Sequence, residues 1–112
     1  MTKIILSDDA KLDLLRIRNF LKDLDADAAK NAGKTIALSI NQLAKYPELV
    51  PIVDQECRIL TVPFGKRGYS VAYVYETASD TVIVLGVKHQ REEFFPFELE
   101  QLAEASEDNS EE

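Results

Sequence analysis

Apolar positions recur at steps of three and four in the first half of the chain, and at steps of two in the second half. In the first half, Ala10, Leu14, Ile17, Leu21 and Leu24 share one stripe, which predicts an amphipathic helix of about four turns. Asp13, Arg16, Lys22 and Asp23 fall largely off that stripe. Ser7 is placed as the N-cap, and Asp8 and Asp9 suit the positive end of the helix dipole. Residues 25–27 predict a turn, with Asp27 capping a second helix whose stripe is Ala29, Ala32, Ile36, Ile40 and Leu43. Pro47 stops that helix near Lys45 or Tyr46. Gly33 sits mid-helix at a cost of about 1 kcal/mol relative to alanine. Close approach of the first helix beside the small Ala28, Ala29 and Ala32 would offset that cost. Residues 3–6 predict a short strand ahead of this helical hairpin.

After a loop over 47–56 bounded by Pro47 and Pro51, the period changes to two. Residues 57–62 predict a strand and 63–68 a turn. Over 69–76, Tyr69, Val71, Tyr73 and Tyr75 alternate with Ser70, Ala72, Val74 and Glu76. Residues 77–80 predict a hairpin loop. The nearly unbroken apolar run 81–88 predicts a central strand covered on both faces, with Gly86 marking a bulge or a close backbone approach. The expected fold is α+β: an N-terminal strand and an α-helical hairpin packed on a three- to four-stranded, mainly antiparallel sheet. Residues 1–95 form the expected domain. Residues 96–112 form an acidic extension, helical after Pro96 and then disordered over 106–112.

Composition refines this picture. A chain of 112 residues is one domain, and burying roughly two-thirds of its unfolded surface suffices for a core without staples. The single cysteine, Cys57, excludes an internal disulfide and agrees with a reducing compartment. No apolar leader follows Met1, and no run approaches the roughly 18 residues of a membrane span. The expected location is therefore cytoplasmic, without membrane contact. The net charge of −7 would argue against an anionic partner, but its distribution reverses the argument. Residues 92–112 hold nine acidic and no basic residues; the other eleven acidic and all thirteen basic residues give 1–91 a charge of +2. Arg58 opens the first β-run, Lys66 and Arg67 sit in the Gly-flanked turn, and Lys88, His89 and Arg91 close the last run. This placement predicts a surface for a polyanion or an acidic partner.

The ordered motifs carry a resemblance. Arg58 and Leu60 give R-x-L; Phe64, Gly65, Gly68, Tyr69 and Tyr73 give F-G-x-x-G-Y-x-x-x-Y; Val87, His89, Gln90, Arg91 and Glu92 give V-x-H-Q-R-E. From residue 3 to 95 the chain resembles the RelE/ParE toxin superfamily of type II toxin–antitoxin modules, often called plasmid stabilisation proteins. The resemblance implies an N-terminal strand, an α-hairpin and a three-stranded antiparallel meander. It also implies an antitoxin whose C-terminal segment wraps the toxin. The RelE branch cleaves mRNA in the ribosome; the ParE branch poisons DNA gyrase.

The residues weigh one branch against the other. Metal-free phosphodiester cleavage needs groups that activate the 2′-hydroxyl, stabilise phosphorane charge and protonate the leaving oxygen. RelE-like ribonucleases resemble one another in an arginine directly after the tyrosine that opens the second meander strand, and here that position is Ser70. Their lysine pair on the preceding strand is reduced to Arg58, with Leu60 at the second position. A serine hydroxyl lacks the charge-assisted hydrogen bonds that a guanidinium gives a phosphate. The ParE branch is therefore favoured, with action by protein contact and not by bond chemistry. The expected target-binding residues are Arg58, Lys66, Arg67, Lys88, His89 and Arg91. In the alternative, a ribosome-dependent endoribonuclease uses Arg58, Tyr69, His89 and Arg91. A third reading is a non-toxic binding module on the same fold. Each residue also has a plainer role: Arg58 pairing with Glu56 or Asp54, His89 capping the sheet edge, Tyr69, Tyr73 and Tyr75 packing in the core. Leu14, Ile17, Leu21, Ile36 and Ile40 are expected under the antitoxin, which would make a toxin–antitoxin hetero-oligomer; a homodimer is the other assembly considered. One His and one Cys form no metal cluster, and no cofactor is expected. The acidic extension either folds back over the basic meander or solubilises the chain.

Overall fold

The computed structural model describes residues 2–90. The chain runs through β1 (Lys3–Leu6), α1 (Asp8–Leu24), α2 (Ala26–Asn41), a 3₁₀ turn (Gln42–Ala44), β2 (Ile52–Asp54), β3 (Cys57–Phe64), β4 (Arg67–Glu76) and β5 (Thr81–His89). The five strands form one sheet of order β1-β5-β4-β3-β2, antiparallel except for the parallel β1–β5 pair. The α+β expectation holds, with one strand more than expected. The extra strand, β2, has only three residues and lies inside the Pro-bounded loop, too short for alternation to reveal it. The expected extension over 96–112 lies outside the described residues.

Ser7 caps α1 as its position suggests, accepting from the Ala10 amide at 3.0 Å. The second cap is Asp25, not Asp27. Its carboxylate accepts from the amides of Asp27 and Ala28, so α2 begins one residue after α1 has ended. The α-helix ends at Asn41 and tightens into the 3₁₀ turn well before Pro47.

Strand pairing fixes the faces, because directly opposed residues share a side of the pleat. Leu60 and Val62 of β3, Tyr69, Val71 and Tyr73 of β4, and Val82, Val84 and Val87 of β5 meet Ala10, Ile17, Ala32, Ile36, Ile40 and Leu43 in one buried core. Each fully buried aliphatic side chain here removes surface worth about 1.5–3 kcal/mol. The run 81–88 is not covered on both faces by elements among the described residues. Its second face carries the half-buried Ile59, Val74 and Ile83 beside the buried Cys57, Ala72, Thr81 and Gly86, and neighbouring Ile5 is exposed. Small Ala72 and Gly86 sit opposed on that face.

Gly86 does mark a bulge. Tyr73 pairs with Val84 and Ala72 with Gly86, which leaves Leu85 as the extra residue of β5. β1 covers β5 only from Thr81 to Val84. Beyond that point α1 takes over the edge: Ser7 N–H donates to the Val84 carbonyl at 3.0 Å, Ser7 Oγ–H to the Leu85 carbonyl at 3.1 Å, and Val87 N–H to Asp13 Oδ2 at 3.0 Å.

β3 runs on through Pro63 to Phe64, beyond the stretch expected to turn, and the hairpin closes at Gly65 and Lys66. Pro63 is tolerated because β2 pairs only with Cys57 and Arg58, so no outward ladder bond is lost. Gly68 has φ +142°, and a Cβ there would clash with the Val62 carbonyl. At the other end of the sheet Asp80 accepts from Thr2 and Tyr75, each at 2.7 Å. The Tyr75 bond, then the Thr2 bond, hold its carboxyl below the usual range.

Two outcomes follow. Gly68→Ala should destabilise the chain by about 1–3 kcal/mol in urea unfolding, because it combines a strained φ with a backbone clash. Tyr75→Phe should raise the Asp80 pKa toward its ordinary value, read by NMR pH titration. Since the folded pKa is depressed, the Asp80 contribution is present above the unfolded-state pKa and disappears as pH falls through the folded one.

Candidate functional site

Tethered at Ser7 and Asp13, α1 runs along β5 and overhangs the β3–β4 turn. Between them lies an open cleft of about 710 Å³. Ile17, Phe20 and Leu21 form its helix wall, Phe64, Tyr69 and His89 its sheet wall, and Arg16, Lys66 and Arg67 its cationic rim. The aromatic groups are ordered as a ladder. Phe64 and Tyr69 have ring centroids 6.0 Å apart at 44°, and His89 meets Tyr69 edge-on at 5.3 Å and 85°. Tyr69 is 2 % exposed, so its ring is wall and not a stacking platform, whereas Phe20 is 64 % exposed.

The structure gathers Lys66, Arg67, Tyr69 and His89 of the expected set. It separates Arg58 and Lys88 from them. Lys88 is opposed to Ser70 and therefore faces the second side of the sheet, opposite to His89. Arg58 pairs across from Tyr73, four residues along β4 from Tyr69. Its guanidinium donates to the Val50 carbonyl at 2.6 Å and lies 3.5 Å from Glu48, which replaces the Glu56 or Asp54 pairing expected. The Arg58 side chain is 12 % exposed and Glu48 62 %, so the ion pair is weak and the bond to the buried-side carbonyl dominates. The Tyr73 hydroxyl lies in this corner, and burial pushes its phenol up. Arg91 lies outside the described residues.

Ser70 also faces the second side of the sheet. Its partner on β3 is Thr61, not Arg58 or Leu60, which point to the helix-covered side. The position that carries a guanidinium in RelE-like ribonucleases is thus a hydroxyl opposite another hydroxyl. Cys57 is buried; desolvation, then the nearby Asp54 charge, push its thiol up, away from the reactive thiolate.

A second groove, about 530 Å³, runs between α1 and α2. Leu14, Ile17, Ala29 and Ile36 floor it, and Arg18, Lys22, Lys30 and Lys34 line it. Of the residues expected under an antitoxin, Leu14, Ile17 and Ile36 border this groove and Leu21 borders the cleft. Ile17, Ile36 and Ile40 are all buried core residues, and Ile40 borders neither groove nor cleft. Gly33 does not mark helix–helix contact: it lines the groove, and a Cβ there would meet nothing within 4 Å. Arg16 and Phe20 were not foreseen as site residues. Their i, i+4 spacing on the flank of the apolar stripe was the available signal.

The fold is shared with chains of two solved toxin–antitoxin systems. The chain superposes on a protein of the chromosomal ParDE system of P. aeruginosa with a TM-score of 0.60 at 20 % identity, covering 80 % of this chain and 96 % of that one. It superposes on a chain of the intact E. coli RelBE toxin–antitoxin complex with a TM-score of 0.56 at 10 % identity, covering 79 % and 95 %. The fold class is that of the RelE/ParE toxins. In sequence, the chain is 32 % identical over 93 residues to toxin RelE3 of Caulobacter vibrioides, covering 82 % of this chain and 98 % of the relative. Residues 4–94 match the model of the ParE toxin of the type II toxin–antitoxin system parDE. The chain belongs to this ParE toxin family and is the toxin of a type II toxin–antitoxin system. Among the described residues, no helix is long and apolar enough to cross a membrane.

The two arginines should separate in a stability measurement. Arg58→Ala leaves the Val50 carbonyl without its donor and should cost about 1–3 kcal/mol in urea unfolding. Arg67→Ala, at an exposed turn, should stay within about 0.5 kcal/mol of the parent.

Proposed function

We propose that this toxin acts by binding DNA gyrase through the rim of the cleft, without bond chemistry of its own, and that a cognate antitoxin occupies the α1–α2 groove. The observation that supports the gyrase reading is that Arg58 and the Ser70 position, which a ribonuclease would need, lie away from the Tyr69–His89 pair. Arg58 is occupied in a structural corner, and Ser70 and Thr61 face away from Tyr69 and His89. What remains together, Tyr69 and His89 in the cleft wall with Lys66, Arg67, Arg16 and the exposed Phe20 at its rim, suits recognition of an acidic protein surface.

The antitoxin reading is supported by the ParDE and RelBE systems among the structural neighbours and by Gly33. A glycine in mid-helix costs about 1 kcal/mol relative to alanine, and no internal contact requires it here. A partner backbone that approaches α2 closely would. The four cations on the groove and its apolar floor fit an amphipathic segment with acidic edges.

The gyrase reading is tested with purified enzyme. The chain should inhibit supercoiling or trap cleaved DNA, and Lys66→Glu with Arg67→Glu should weaken this at least about tenfold, as loss of roughly 1.4 kcal/mol of contact does. Intact gyrase activity, with rapid mRNA loss when the chain is induced in cells, would overturn it in favour of the ribonuclease. Gly33→Leu should keep the fold while lowering antitoxin affinity in calorimetry; unchanged affinity would remove the groove from the antitoxin interface.

A further inference from the structure

Gln90 fixes where the chain leaves the sheet. Its amide donates to the Gly68 carbonyl at 2.9 Å, which extends the β4–β5 ladder one step beyond His89. Gln90 therefore sits beside Arg67 and Lys66, at the rim of the cleft and not at the α1–α2 groove. The chemistry of the residues that follow it in sequence is the complement of that cleft. Residues 92–100 read EEFFPFELE, with bulky apolar side chains at Phe94, Phe95, Phe97 and Leu99 set among four glutamates. The cleft offers an exposed Phe20 and an apolar wall under a rim of Arg16, Lys66 and Arg67. Residues 92–112 as a whole hold nine acidic and no basic residues.

Reach and size agree. Residues 91–97 extended span up to about 23 Å, enough to lie along a cleft beside their own origin. The cleft volume, about 710 Å³, falls in the range of roughly 300–1,000 Å³ typical of ligand-holding clefts. A segment tethered at the rim also acts at an effective concentration in the millimolar range, so even a weak contact is populated.

We propose that the chain's own segment 92–100 occupies this cleft, its phenylalanines against Phe20 and Phe64 and its glutamates on the Arg16–Lys66–Arg67 rim. The segment is then an internal competitor for any acidic ligand of the cleft. That regulatory consequence rests on the gyrase reading; the docking itself does not.

The test uses the full chain, labelled with ¹⁵N. Phe94→Ser, Phe95→Ser and Phe97→Ser together should shift the amides of Phe20, Gly65, Lys66 and Arg67, and leave Ile59 and Val74 on the second sheet face in place. The reciprocal change, Phe20→Ser at an exposed position that the fold tolerates, should shift the amides of 92–100. Cleft amides unmoved by the triple substitution, tail amides unmoved by Phe20→Ser, or shifts on Ile59 and Val74 in their place would each overturn the proposal. The readout contains no gyrase, so it succeeds or fails apart from the assignment of the target.

Discussion

The half of β5 that β1 does not reach governs the architecture. Four residues of β1 satisfy the edge from Thr81 to Val84, and the bulge at Leu85 then turns the ladder toward α1. A buried strand edge without partners would cost about 1–3 kcal/mol for each orphaned backbone group. Ser7 and Asp13 remove that cost from both ends of the gap, one with its amide and hydroxyl, the other with its carboxylate. The consequence is geometric. The first turns of α1 are fixed to the strand, so its later turns project over the β3–β4 hairpin and create the cleft. A helix held only by its apolar stripe could slide or roll by a residue; this one is registered by hydrogen bonds.

The same pleat that builds the core sorts the cations. Lys88 and His89 are neighbours in sequence and fall on opposite faces, and Arg58 shares a face with His89 yet lies at the other end of the strand pair. Cations clustered at strand ends in the sequence are therefore not one patch in space. The cationic rim of the cleft is composed differently: Lys66 from the turn, Arg67 from the start of β4, and Arg16 from a helix far away in the sequence. Its positive character survives a net charge of −7 because the excess acid lies after residue 91.

How much could be read beforehand follows from range. Both helices, the meander and the Gly86 bulge were legible because each is specified by local period or by a single backbone requirement. Asp25 displaces Asp27 as the cap because the inter-helix link is one residue long, shorter than the three-residue turn that 25–27 suggests. β2 was invisible because three residues carry no period. Gly33 beside three small alanines suggests helix packing, whereas it faces an open groove, a distinction that depends on the placement of α1 against α2. The cleft was half legible: its turn and strand residues belong to one contiguous stretch, but Arg16 and Phe20 join them only through the Asp13 tether, which links residues 74 positions apart.

The two grooves lie on opposite flanks of α1 and share Ile17 in their lining. Because Ser7 and Asp13 pin the helix, filling one groove does not close the other by moving α1. On the proposed reading, an antitoxin seated between α1 and α2 leaves the Lys66–Arg67 rim physically open unless it continues around the helix. Neutralisation then requires a partner long enough to pass from one flank to the other. Such a partner must compete at the second flank with the toxin's own segment 92–100, whose glutamates would claim the same cations. The antitoxin's affinity is thereby divided into a groove term that is uncontested and a cleft term that is reduced by the tethered competitor, and the two respond differently to salt. The groove term retains its apolar floor when charges are screened, while the contest at the rim weakens on both sides.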